Sequence, residues 1–71
     1  MSHHVVSDLV ANVLSIAVTV GDTVEAGTEI ALLESMKMEI PVLTEQAGTV
    51  SEVKVEVGDV VQEGDILAVI D

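Results

Sequence analysis

The stretch VTVGDTVEAGTEIALLE, at residues 18–34, recurs 37 positions later as VEVGDVVQEGDILAVID, at residues 55–71. When both copies are extended upstream to residues 13 and 50, eight of the 22 aligned positions are identical. The identical pairs are Val13/Val50, Val18/Val55, Val20/Val57, Gly21/Gly58, Asp22/Asp59, Val24/Val61, Gly27/Gly64 and Ala31/Ala68. In a chain of 71 residues, such a repeat predicts one small domain made of two similar halves.

Each copy of the repeat has the pattern of β-structure. Polar and apolar residues alternate strictly over residues 52–57, as in a strand with one wet face. A Gly-Asp pair then marks a turn, and apolar runs of strand length follow at residues 30–33 and 66–70. We therefore predict an all-β fold, a pseudo-two-fold β-sandwich or flattened barrel in which each half buries its apolar face against the other.

The composition excludes several classes of protein. The net charge of −11 at pH 7 disfavours binding to nucleic acids and to anionic membranes. Without cysteine there is no disulfide and no thiol nucleophile. The N-terminus lacks the basic and apolar regions of a secretory signal, and no apolar run approaches the roughly 18 residues that span a bilayer. We expect a cytoplasmic protein.

The N-terminal residues carry no recognisable signal. We predict that residues 1–8 form a mobile N-terminus and that residues 9–71 form the single folded domain. His3 and His4 are adjacent and would point in different directions in an extended chain, so we do not expect them to hold a metal.

The connector between the two copies, residues 35–49, contains Lys37 between two methionines. Under the shift of 37, the positions equivalent to Lys37 lie just beyond the two ends of the chain, so an approximate two-fold axis places the Lys37 turn at one end of the domain and both termini at the other. The repeat requires a reversal between Leu33 and Val42, yet the connector offers no Gly or Asn there. A turn built from Met and Lys breaks the usual rules, which occurs more often at functional sites. Met36 and Met38 are expected to cover this turn while the amine projects into water.

Residue types alone leave the role of Lys37 open. An exposed turn lysine is ordinary, methionines commonly fill cores, and an amine in water is a poor nucleophile unless something activates it. The other lysine, Lys54, lies between Val53 and Val55 and is interpreted as a solvated strand residue attracted to Glu52 and Glu56.

The stretch ESMKME, residues 34–39, resembles the biotin-attachment motif of biotinyl domains, most often written Ala-Met-Lys-Met. The segment AGTVSEVKVEVGDVVQEGDILAVI, residues 47–70, is similar to the second half of such domains, and residues 18–34 are similar to the first half. The resemblance covers about residues 9–71. Met-Lys-Met midway between two Gly-Asp repeats is much more specific than Met-Lys-Met alone.

The resemblance implies a flattened β-barrel of two four-stranded sheets, a barrel-sandwich hybrid, with biotin amide-linked to Lys37 on an exposed hairpin. In the family, a biotin protein ligase makes biotinyl-adenylate and the lysine amine attacks it, while Met36 and Met38 help the ligase to choose this lysine. The biotin then carries a carboxyl group between a biotin carboxylase and a carboxyltransferase. The chain would thus be a carrier component of a biotin-dependent carboxylase, and not an enzyme.

Two departures and two alternatives accompany this interpretation. Ser35 stands where Ala is commonest, and the "thumb" insertion of some bacterial carriers has no counterpart. The sequence shows no carboxylase domain, no carboxyltransferase domain and no Pro/Ala-rich linker, so we expect a free-standing carrier that is monomeric when isolated. A lipoyl carrier on the same fold is the first alternative, although lipoyl domains usually have Asp-Lys-Ala at the turn. A non-catalytic module that stores biotin or interacts with the ligase is the second.

Overall fold

The computed structural model describes residues 2–71, and all its regular elements there are strands. They form two four-stranded antiparallel sheets, with strand orders β1-β8-β6-β3 and β5-β4-β2-β7. The prediction of an all-β fold with two four-stranded sheets is confirmed. No helix in this part of the chain could cross a membrane. The strands are β1 (His3–Val6), β2 (Ala11–Ile16), β3 (Thr23–Val24), β4 (Glu29–Ser35), β5 (Met38–Leu43), β6 (Gly48–Val53), β7 (Val60–Val61) and β8 (Ile66–Ile70).

The sequence repeat is reproduced in the strand pairing. A shift of 37 residues carries β1, β2, β3 and β4 onto β5, β6, β7 and β8, and it turns one strand order into the other. The register agrees as well, since His3 pairs with Ile70 as Ile40 pairs with Leu33. The two halves do not form separate layers, because each sheet takes strands from both copies. The chain crosses to the opposite sheet after every strand except β4, so neither half has a sheet of its own.

The N-terminus differs from the predicted mobile segment. Residues 3–6 form β1, which pairs with β8 at the edge of its sheet, and Val5 is buried in the core. A weak signal was present in the sequence, because the same shift aligns Val5 with Val42 and Ser7 with Thr44. Both hydroxyl groups are buried, and each donates a hydrogen bond to the carbonyl oxygen two residues further on. Met1 lies outside the described residues.

The Gly-Asp pairs form structural turns. The Asp22 carboxylate accepts a hydrogen bond from the backbone N–H of Thr19 at 2.9 Å, and the Asp59 carboxylate accepts one from Glu56 at 2.8 Å. The preceding Gly21 has a φ of 98°, in the region that favours glycine. The alternating stretch 52–57 is shorter as a strand than predicted, because β6 ends at residue 53, where the chain begins to cross toward β7 in the other sheet.

The two ends of the molecule carry different features. Val24 of β3 pairs with Gly48 of β6, and the next residue of β6, Thr49, exchanges backbone hydrogen bonds with Asp71 at the C-terminus. Strand β4 begins shortly after Val24 and runs seven residues away from this end. In a molecule 32 Å long, the turn after β4 therefore lies at the end opposite the termini, as the repeat predicted.

The core is apolar and has two parts. One part lies toward the termini and the other lies beneath the turn after β4. Both use medium-sized side chains because the sequence has no aromatic residue. The first consists of Val5, Val24, Ile30, Ala31, Val50, Ala68 and Ile70, and the second of Ala11, Val13, Leu33, Val61 and Leu67.

Candidate functional site

Lys37 lies at the tip of the hairpin that joins β4 to β5. Ser35 pairs with Met38, so Met36 and Lys37 form a two-residue loop. Their φ values are 52° and 66°, and positive φ at both central residues is the signature of a type I′ turn. Such turns normally use Asn and Gly, because other L-residues in this region cost roughly 1–2 kcal/mol each. The predicted reversal is therefore present, and it is made by two residues that are poorly suited to it.

The side chains at the tip are open to water. Met36 is 88% exposed, Met38 is 59% exposed, and Lys37 is exposed between them. The sequence had suggested that the methionines cover the turn. Instead, both are open to water and lie beside the amine as an apolar surface. The single ion pair found among residues 2–71 belongs to Lys54, so Lys37 has no carboxylate partner there.

A shallow groove of about 340 Å³ lies next to the hairpin. We call it the hairpin groove; besides Lys37, its main lining residues are Val10, Asn12, Glu34, Ser35, Met36 and Val60. These residues come from the loop before β2, from β2 itself, from the end of β4 and the turn, and from β7. An exposed primary amine of this kind can be acylated by an activated carboxylic acid, which forms an amide bond.

Comparison with known proteins places the chain in a family. The family model described as "Biotin-requiring enzyme", that of biotin and lipoyl attachment domains, matches residues 4–70. The chain belongs to the biotin/lipoyl attachment family. A biotinylated protein TB7.3 homolog of Mycobacterium leprae is 54% identical over 70 residues, which cover 99% of each chain. A biotin/lipoyl attachment protein of Bacillus subtilis is 49% identical, over 83% of this chain and 81% of its own.

A solved structure supports the same assignment of the attachment domain. The urea carboxylase of Kluyveromyces lactis superposes with a TM-score of 0.94 and 32% identity, over 100% of this chain. The aligned part is 6% of that much longer enzyme. The attachment domain thus resembles one small segment of a urea carboxylase.

The base of the hairpin in this attachment domain carries two opposed carboxylates. The register places Glu34 directly across from Glu39, and like charges in this position are destabilising. At the other end of the domain the equivalent residues are Asp71 and Ser2, and there the serine hydroxyl donates a hydrogen bond to the carboxylate, which holds the pKa of Asp71 below its usual range. The sequence analysis did not predict that the two glutamates face each other. Once the turn is known their pairing follows, because Glu34 directly precedes Ser35 and Glu39 directly follows Met38.

Lys54 is in a different environment. It follows the end of β6, its backbone N–H donates to the Leu67 carbonyl at 2.8 Å, and its amine forms an ion pair with Glu52. The predicted attraction to Glu52 is confirmed, whereas no ion pair joins Lys54 to Glu56 among residues 2–71. The side chains of Lys54 and Glu52 are both about half exposed, so their pair contributes at most about 1 kcal/mol. Lys54 is thus held along the body of the attachment domain, whereas Lys37 is presented at its tip.

The backbone strain at the tip predicts that replacing each lysine by glycine changes the free energy of unfolding in opposite directions. We expect Lys37→Gly to stabilise the unmodified domain by about 0.5–1 kcal/mol, because glycine relieves the left-handed backbone at a smaller entropic cost. Lys54→Gly should instead destabilise it by about 0.5–1 kcal/mol, because Lys54 has no positive φ to relieve. Urea denaturation followed by circular dichroism measures both changes. Destabilisation by both variants would show that the turn is not strained.

Proposed function

We propose that this domain is a biotin carrier, with biotin amide-linked to the side-chain amine of Lys37. The observation that carries the proposal is the tip of the β4–β5 hairpin, where a strained two-residue turn exposes one lysine between two methionines. An Asn-Gly turn would fit this backbone conformation better, so the presence of Met36 and Lys37 is best explained by a reaction at this amine.

The choice of biotin over lipoate rests on the residues beside the lysine. Met36, Lys37 and Met38 form a Met-Lys-Met sequence that resembles the biotin-attachment motif of biotinyl domains, whereas lipoyl domains usually carry Asp-Lys-Ala at this turn. The relative from M. leprae is named a biotinylated protein, and the structural neighbour from K. lactis is a urea carboxylase, which is consistent with biotin. Met36 and Met38 would then help a biotin protein ligase to select Lys37.

The carrier role follows from tethering. Biotin, when attached, supplies a ureido nitrogen that accepts and gives up a carboxyl group. The two-residue turn holds the attachment point at one end of the domain, so the group on Lys37 can reach one active site and then another at high effective concentration. A biotin carboxylase and a carboxyltransferase are the partners that such a carrier would serve, and the cytoplasm is where we expect it to meet them.

The experiment that tests biotin against lipoate uses the protein from its native host. Intact-mass measurement is expected to show one biotinyl group, and peptide mapping should place it on Lys37. Incubation of the unmodified protein with a biotin ligase and, separately, with a lipoate ligase supplies the control. A lipoyl group on Lys37, or a protein that stays bare with its own ligase and excess biotin, would contradict the proposal.

A storage or ligase-interaction role is the second candidate. The motif that favours biotin attachment does not by itself require transfer to a carboxylase. Affinity capture of the biotinylated protein distinguishes the two: co-purifying carboxylase subunits support the carrier role, whereas capture of the ligase alone supports the interaction module.

A further inference from the structure

The pseudo-two-fold repeat provides an internal comparison for the hairpin groove. Two of its lining residues, Val10 and Val60, are 61% and 66% exposed. Their equivalents at the other end of the domain are Ala47 and Thr23, which are also exposed. The fold therefore accepts a smaller or more polar residue at each of these positions. The two valines place apolar surface beside Lys37 that the architecture does not require.

The groove also has a polar side. Asn12 and Glu34 face each other in the pairing of β2 with β4, and Val60 is paired with Asn12 on the other side. The amide of Asn12 can donate and accept hydrogen bonds, and the carboxylate of Glu34 can accept them. Apolar side chains at one part of a groove and a few convergent polar groups at another are the general features of a small-molecule site.

We propose that the hairpin groove is a resting site for the ring system of the biotin carried on Lys37, an inference that depends on the proposed function. The valines and Met36 suit the apolar ring and its alkyl chain. The Glu34 carboxylate and the Asn12 amide suit the two N–H donors and the carbonyl oxygen of a cyclic urea. Lys37 itself borders the groove, so the tethered ring is always within reach.

Tethering allows a weak site to be occupied. A short flexible tether gives an effective concentration in the millimolar range, so a site of millimolar affinity is filled about half of the time. In that state the ring rests on its own domain until a partner's active site competes for it. The group thus alternates between a docked and an extended position, and the groove sets the balance between them.

The first test compares unmodified and biotinylated wild-type protein by amide NMR. We expect biotinylation to shift the amide signals of Val10, Asn12 and Val60 as well as those of the turn. Mass measurement of the same sample separates a failure of the proposed function from a failure of the resting site. Absence of biotin on Lys37 contradicts the proposed function, whereas biotin on Lys37 with shifts confined to residues 35–38 overturns only the resting site.

The second test exchanges the residues of the two ends. Val10→Ala combined with Val60→Thr installs the pair found at the opposite end, where the fold already accepts it. We expect this variant to lose the biotin-induced shift at Asn12 and to be captured by avidin about twice as fast, since a half-docked ring is half available. The matched control, Ala47→Val with Thr23→Val, should behave as wild type. An unchanged biotin-induced shift at Asn12 in the first variant would overturn the resting site. If wild type shows no shift at Asn12 and the ligase loads the first variant more slowly than wild type, the resting site is also overturned, and the groove is a protein-docking face instead.

Discussion

Replacing Lys37 with Arg is expected to abolish the loading of biotin completely, whereas Lys54→Arg should load as fast as wild type. Arginine keeps the positive charge and much of the length of the side chain, but its guanidinium group is not a nucleophile that a ligase can acylate. Stability should hardly change, because Lys37 is exposed and has no ion pair among residues 2–71. Intact mass after incubation with biotin protein ligase, ATP and biotin measures the result.

Lys54 is the control that the chain itself provides. It is the other lysine of the sequence, and both lysines are exposed, so simple access to solvent does not separate the two. What separates them is presentation: Lys37 stands at the tip of a two-residue turn between exposed methionines, while Lys54 lies along the domain between two partly buried valines. Residual loading of Lys37→Arg, or a loss of loading in Lys54→Arg, would contradict the assignment.

The hairpin shows a compromise between stability and presentation. Asn-Gly at its tip would fit a type I′ turn, and the opposed pair Glu34 and Glu39 would be better replaced by residues that attract each other. Both unfavourable features lie within three residues of Lys37, while the turns at Gly21 and Gly58 follow the ordinary rules. Unfavourable local choices are thus concentrated where a reaction is proposed.

Most of the fold could be predicted because the sequence contains two copies of the same strand pattern. The shift of 37 residues identified equivalent strands, and alternation identified their faces. It did not reveal that strands are exchanged between the halves, because an internal repeat records which segments are alike but not which of them pair. The repeat also failed to indicate β1, because residues 3–6 are identical to the equivalent residues of the second copy at one position alone, Val5 and Val42.

The features of the site that are close together in the sequence could be predicted, whereas those formed by residues distant in the sequence could not. The Met-Lys-Met sequence and the lack of turn residues marked Lys37 directly. The hairpin groove was invisible, because Val10 and Val60 are 50 residues apart and meet only through the pairing of β2 with β7. The opposition of Glu34 and Glu39 depended on the register of a turn whose residues break the usual preferences, so no turn rule could fix it.

Replacing Leu33 with Ala is expected to destabilise the domain by about 2–5 kcal/mol, the largest stability loss predicted here. Leu33 is fully buried in β4, in the part of the core beneath the hairpin, together with Ala11, Val13, Val61 and Leu67. Leu67 is the largest of these neighbours and is itself fully buried, and the sequence has no aromatic residue that could fill the space. The cavity should therefore stay largely open. For a domain of this size a total stability of about 4–11 kcal/mol is usual, so the loss is a large fraction of the whole.

Leu32→Ala is the matched control, because it removes the same atoms one residue away. Leu32 points to the other face of β4 and is partly exposed, so we expect a loss of about 1 kcal/mol. Urea denaturation at equilibrium measures both variants. Similar losses from the two would show that the β4 face beneath the hairpin is not the tightly packed side. A large loss from Leu33→Ala alone would show that the stability of the domain depends on burial at this position of β4, beneath the Lys37 turn.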